Sequence, residues 1–280
     1  MSEVLIATNG YKETRMAIEY GAWFAAKMRT KITLLGVTED LSPAAIDDHH
    51  PLEDIFEEAV SLFKDKGVEY SLEVQNGEAE QVIPEKANRG DYITVVSPLG
   101  RPPIRRWLTG RSIRPLMEKI KGPILYVPQI RLPVRKMLVS IGGLEYAESA
   151  ESLAFQIGTA CRAEVAIMHV IPPTDLDYPS AREVWEHADD LAETDTLPGR
   201  SLRKGLELAK QAGLTARIVT RKGDVVEQIL AEIREGDYDI VCMGSSYSAH
   251  SLRQLYAPNV TAEVAEAAHC PVLTARYKPA

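Results

Sequence analysis

Short apolar runs recur along the chain, and each stops at a glycine, a proline or a small polar residue. Val4–Ala7 runs into Asn9–Gly10, "KITLLGV" covers 31–37, "RGDYITVVS" covers 89–97, and "GPILYVP" covers 122–128. Continuous apolar runs of this length, bounded by turn residues, predict strands of a sheet buried on both faces. Between them lie stretches with helical spacing. In "ETRMAIEYGAWFAAKMR", Met16, Ile18, Tyr20, Trp23, Phe24 and Ala26 fall on one helical side, and "AESLAFQIGTACR" repeats the pattern later. Strands alternating with helices predict a parallel sheet with right-handed crossovers and helices on both faces.

The pattern occurs twice. "VLIATNGYKET" (4–14) resembles "MLVSIGGLEYA" (137–147), "KITLLGV" matches "EVAIMHV" (164–170), "NGEAEQVI" (76–83) matches "KGDVVEQIL" (222–230), "RGDYITVVS" matches "EGDYDIVCM" (235–243), and "GPILYVP" matches "CPVLTAR" (270–276). Gly77 and Gly90 precede Gly223 and Gly236 by the same 146 residues. Order is kept throughout, so we expect two tandem copies of one domain, 1–130 and 135–280, joined near "VPQIRLPVRK" (127–136).

Composition narrows the classes. The chain has 280 residues and a net charge of −8, which argues against nucleic acid and anionic membrane as partners. "MSEVLIATNG" lacks a charged region ahead of a long apolar one, so no signal peptide is expected, and no apolar run is long enough to span a bilayer. The three cysteines, Cys161, Cys242 and Cys270, are too few and scattered for a disulfide framework or zinc cluster. We expect a cytoplasmic protein.

In doubly wound sheets, ligands bind outside the carboxyl ends of the strands. Those ends are expected at Asn9–Gly10, Val37, Gly77 and Ser97 in the first copy, and at Gly142–Gly143, Val170, Gly223 and Gly244 in the second. The strand-to-turn segments "ATNGYKET" and "SIGGLEYA", the G-E/D-x-x-E helix starts, "GDYDIVCMGS" and the closing "GPILYVP" and "CPVLTAR" together resemble the universal stress protein family, over nearly the whole chain. The resemblance implies two tandem Rossmann-like α/β domains, each with five parallel strands and helices on both faces. It also implies that such domains pair through their last strands, as an internal pseudo-dimer here or as a homodimer.

The ATP-binding branch of that family carries G-x-x-G, nine residues, then G-[S/T], with an Asp at the end of the first strand. Backbone N–H groups of such a loop and of a helix N-terminus donate to phosphate oxygens. In the second copy Gly244 fits the first glycine, and Ser245 and Ser246 follow. Tyr247 stands at the second glycine, Pro258–Asn259 at the closing pair, and Gly142 in place of the Asp. Proline has no N–H to offer, while Asn259 keeps one. In the first copy two registers compete. One puts Pro98 and Arg101 at the glycines. The other gives Ser97-x-x-Gly100, nine residues, then Gly110, with Arg111 and Ser112 behind it and Asn9 in place of the Asp.

The resemblance thus implies a stress-response regulator that binds an adenine nucleotide, ATP or AMP, with Mg²⁺. The candidate contacts are Gly142, Val170, Gly244, Ser245, Ser246 and Asn259 in one copy, and Asn9, Val37, Gly100, Gly110, Arg111 and Ser112 in the other. The damaged loops leave a second reading open, a nucleotide-independent scaffold that works through protein partners, and a third, a slow ATPase. No acid–base couple or nucleophile motif points to an enzyme, so no catalytic residue is named.

Other polar clusters have plain readings. "IDDHHPLED" (46–54) holds Asp47, Asp48, His49, His50, Glu53 and Asp54, a ligand-rich set read as a solvated helix start rather than a metal site. "RPPIRRW" (101–107) is read as a rigid, solvated loop, and the acidic stretch 172–200, with His187, as an exposed insertion. His169 is read as structural, His250 as a surface residue and His269 as a helix-end cap.

Overall fold

The computed structural model describes residues 2–38, 51–99, 113–142, 148–173, 184–245 and 260–276. The chain divides into two compact units, Met1–Ile130 and Arg131–Ala280.

Unit 1 contains β1 (Glu3–Thr8), α1 (Arg15–Met28), β2 (Ile32–Thr38), α2 (Pro51–Asp65), β3 (Tyr70–Asn76), α3 (Ala79–Arg89), β4 (Tyr92–Val96), α4 (Arg114–Lys119) and β5 (Ile124–Tyr126). Its strands are all parallel, in the order β3-β2-β1-β4-β5. Unit 2 contains β6 (Lys136–Ser140), α5 (Glu148–Cys161), β7 (Glu164–Ile171), α6 (Leu197–Gln211), β8 (Ala216–Lys222), α7 (Val225–Gly236), β9 (Ile240–Ser245), α8 (Val260–Ala267) and β10 (Val272–Arg276). It repeats the order as β8-β7-β6-β9-β10, again parallel. In each unit the order reverses beside the first strand, and the crevice outside the carboxyl ends there is where such sheets take ligands.

Central strands carry no alternation because both faces are covered. Val4 to Asn9 are buried without a break, as are Ile32 to Val37. The buried stripe of α1 is Ala17, Ile18, Tyr20, Gly21, Ala22, Phe24, Ala25 and Met28. The expected set is corrected in part. Ala26 is exposed, and Met16 and Trp23 are only half-buried, Trp23 with its ring 5.1 Å from that of Tyr20. Small residues carry more of the helix–sheet contact than the large ones that drew attention, because they let the helix approach the sheet. Both α1 and α5 end at an arginine in left-handed conformation, Arg29 (φ 53) and Arg162 (φ 56).

Two polar devices close unit 1. Pro84 lies inside α3 and cannot donate to the carbonyl of Glu80, four residues back. The Lys119 Nζ of α4 donates to that oxygen at 3.0 Å. The Asn88 side chain then brackets the end of α4, donating to Lys119 O (2.9 Å) and accepting from Lys121 N (2.8 Å).

The described part of the 172–200 stretch also departs from expectation. It is pinned rather than simply exposed: Ala188 and Leu191 are buried, Lys222 Nζ sits 5.3 Å from the Trp185 ring centroid, and Arg203 donates to the carbonyls of Ala192 and Thr194. The Thr196 hydroxyl caps α6 by accepting from Gly199 N. His187 is exposed.

Candidate functional site

The carboxyl ends of the two first strands are built differently. In unit 1, β1 ends at Thr8 and the chain turns through buried Asn9 and Gly10 (φ 82) into a 3-10 turn, Lys12–Thr14. The Thr14 hydroxyl donates to Tyr11 O at 2.6 Å, so the Thr8 hydroxyl, 2.6 Å away, must donate to Thr14. Thr8 in turn accepts from Gly10 N at 3.2 Å. A relay of hydroxyls therefore satisfies itself across the mouth of the strand. The end of β4 is tied to the same turn, since Ser97 Oγ donates to Glu13 O at 3.0 Å. Ser97, Thr8 and Thr14 are all buried.

In unit 2, β6 ends at Ser140 and passes through buried Ile141 to Gly142. Ile141 is held to β7 by both backbone groups: its N–H donates to Met168 O (2.9 Å), and its carbonyl faces His169 Nδ1 at 3.0 Å. A carbonyl only accepts, so Nδ1 carries the proton. Burial lowers the His169 pKa, against a smaller opposing pull from the Ile141 carbonyl, so the ring is neutral near pH 7. This supports the structural reading of His169. Gly142 is exposed, and among the described residues a side chain added there would meet nothing within 4 Å. Ser140 pairs with Met243, which places Gly142 beside Gly244 and Ser245 at the end of the neighbouring strand.

The remaining expected contacts divide. Val37 and Val170 lie one residue before the ends of β2 and β7, with side chains in the core. Gly100, Gly110, Arg111, Ser112, Ser246 and Asn259 lie outside the described residues, as do 101–107, 46–50, Tyr247, Pro258 and His250. α8 begins at Val260, directly after Asn259. The structure thus brings Gly142, Gly244 and Ser245 together at one sheet edge, and Asn9 to the corresponding edge of unit 1.

The sequence reading missed the hydroxyl relay and one buried carboxylate, Glu151, which lies early in α5 where α1 has the apolar Ile18. Neither threonine nor glutamate stands out by type, and Thr8 and Thr14 meet only because the turn folds. Burial raises both core thiols, Cys270 to about 12 and Cys242 likewise upward, so neither is a ready nucleophile. Among the described residues no group of three metal-type ligands occurs, and no helix is long and apolar enough to cross a membrane.

A model of the universal stress protein family matches residues 133–276. The chain belongs to the universal stress protein family. The matched span lies within unit 2, and unit 1 repeats its strand order. A crystal structure of a universal stress protein from Archaeoglobus fulgidus DSM 4304 is similar over 98% of this chain and 96% of that one, with a TM-score of 0.67 and 18% identity. A putative universal stress protein from Pseudomonas aeruginosa UCBPP-PA14 is similar over 98% and 93%, with a TM-score of 0.65 and 14% identity. At these identities the likeness is one of fold, and it spans both units. A universal stress protein solved in complex with cAMP covers 52% of this chain and 99% of its own, at 21% identity and a TM-score of 0.41. No curated protein matches the chain significantly.

Proposed function

We propose that this universal stress protein is a regulatory module that takes one adenine nucleotide, ATP or AMP, at the carboxyl edge of unit 2, with Mg²⁺ entering on the phosphates. The observation that carries the reading is that Gly142 ends its strand beside Gly244 and Ser245, with no described residue within reach of a side chain placed there. Such an edge leaves room for a phosphate chain to approach backbone N–H groups. In this reading Ser246, Asn259 and the start of α8 complete the cradle, and Val170 borders the base. The protein acts in the cytoplasm through protein partners whose binding the nucleotide alters.

A second reading applies to unit 1, where Asn9, Val37, Gly100, Gly110, Arg111 and Ser112 would form the matching site. The closed hydroxyl relay favours a site that has lost its ligand and serves as scaffold.

Calorimetric titration with ATP and Mg²⁺ tests the proposal. Gly142→Val meets no described residue, so it is expected to keep the fold and weaken binding about tenfold or more. Wild-type protein that takes up neither ATP nor AMP, or a variant with unchanged affinity, contradicts the assignment.

A further inference from the structure

At the opposite, amino edge of unit 2's sheet lies a pocket of about 210 Å³, lined by the first residues of β6, β7 and β8 and by the end of α7. This is smaller than the cavities that hold drug-sized ligands and suits a small metabolite. Its floor includes Val165, Ala166 and Ala216, and its charged groups are Lys136, Arg217 and Glu164.

The same place in unit 1 is bridged by hydrogen bonds. There Thr33, the residue at Ala166's position in the ladder, links its neighbours: its hydroxyl donates to Glu3 Oε1 at 2.5 Å and lies 3.0 Å from Ser71 Oγ. In unit 2 the three positions become Lys136, Ala166 and Arg217. The bridging hydroxyl is gone, a methyl remains, and a carboxylate and a hydroxyl have been replaced by two cations.

Arg217 is held at the wall. One of its terminal nitrogens donates to Tyr238 Oη at 2.8 Å and lies 3.6 Å from Glu232. Tyr238 Oη donates onward to Glu232 Oε1 at 2.7 Å, so the phenol is saturated and acts as a strut. The guanidinium is 62% exposed and has further N–H donors. Among the described residues Lys136 Nζ reaches the carbonyl of Gly236, at 3.4 Å, and it feels the charge of Asp237, which is itself paired with Arg131. Glu164 makes no ion pair among the described residues.

We propose that this pocket binds a small organic carboxylate. The planar guanidinium matches a carboxylate in two-pronged fashion, Lys136 adds a second positive charge, and the apolar floor receives a short hydrocarbon body. Glu164 lines the same pocket and Glu232 lies 3.6 Å from Arg217, so the two cations are partly offset, which favours a monoanion over a phosphate dianion. The site is separate from the nucleotide edge and does not depend on it.

The test is an amide-resolved NMR titration of the full chain with sodium butyrate, against sodium chloride at equal ionic strength and against inorganic phosphate. Saturable shifts at residues 164–166 and 215–217 are expected with butyrate. Arg217→Gln should weaken binding about tenfold or more, and Ala166→Leu should abolish it by filling the floor. Should Ala166→Leu fail to fold, the exposed Arg217→Gln decides alone. Shifts that chloride reproduces, stronger binding of phosphate, or butyrate affinity unchanged in Arg217→Gln would each overturn the proposal.

Discussion

Lys86 of α3 and Glu232 of α7 occupy the same helical position in the two units and carry opposite charges. Each lies against the tyrosine of the repeated Gly-Asp-Tyr segment. In unit 1, Lys86 pairs with Glu73 at 2.6 Å and sits 5.7 Å from the Tyr92 ring centroid. Burial opposes its charge, but the hydrogen bond to Glu73 and the charges of Tyr92 and Glu73 outweigh it, and its pKa is raised. In unit 2, Glu232 accepts from Tyr238 Oη and pairs with Arg221 at 2.7 Å. Burial first, then the Glu232 carboxylate, raises the Tyr238 phenol. The glycine is common to both because the ring folds back over it: a side chain at Gly90 would meet Tyr92 Cε2 at 2.3 Å, and one at Gly236 would meet Tyr238 Cε2 at 2.2 Å. The repeat therefore preserves a ring packed on a glycine with an ion pair nearby. It does not preserve the sign of the pair. The same holds at the carboxyl edges, where among the described residues the hydroxyls of Thr8, Thr14 and Ser97 are bonded within unit 1 and Gly142 of unit 2 has no neighbour within 4 Å of an added side chain.

The comparison can be broken first at the ion pairs. Glu232→Ala removes a carboxylate that is 7% exposed and leaves both Arg221 and the Tyr238 hydroxyl without it, a loss of about 2–4 kcal/mol. Lys86→Met in unit 1 keeps the stem over the tyrosine and leaves Glu73, 35% exposed, to water, so it should cost less, about 1 kcal/mol. Urea denaturation of both variants checks the ranking, and equal losses would mean that the difference in burial does not set the cost.

A smaller effect is expected at the closed edge. Thr14→Ala strands the Thr8 hydroxyl and frees the 3-10 turn, at about 1–2 kcal/mol. Hydrogen exchange at Gly10 and Thr14 should rise while the amides of β6 stay protected. Unchanged exchange would remove the relay as the lock.

The smallest effect belongs to His169. Its pKa is depressed in the folded state, so the unfolded chain binds more protons on acidification from about pH 6.5. Its stabilising contribution is present above that value and declines as pH falls toward the folded pKa. His169→Gln, which can still donate to Ile141 O, should flatten the stability profile between about pH 5 and 7 relative to wild type. Parallel profiles would show that the ring is not shielded.

The strands were legible because buried parallel strands read as unbroken apolar runs, and the repeat was legible because its turns recur in order. The face of α1 was legible only in part: Ile18, Tyr20 and Phe24 lie on the buried stripe as expected, but Met16, Trp23 and Ala26 do not, and the stripe is completed by Ala17, Gly21, Ala22, Ala25 and Met28. The Gly-Asp-Tyr segment was visible, but its cause, a ring lying on a glycine, needs the coordinates. The loop substitutions at Pro258 and Arg111 were plain from spacing. The closure of unit 1's edge was not, because Thr8, Thr14, Ser97 and Glu13 come together only through folding. The amino-edge pocket was invisible for the same reason, being made by Ala166 against two neighbouring strands.

Among the described residues unit 1's carboxyl edge is closed by its own hydroxyls and unit 2's is open at Gly142. Native mass spectrometry with ATP and Mg²⁺ counts the nucleotides directly, on wild type and on Gly142→Val. The account predicts one nucleotide per wild-type chain and loss of that nucleotide in the variant. Two nucleotides per chain, or one that survives Gly142→Val, would contradict it.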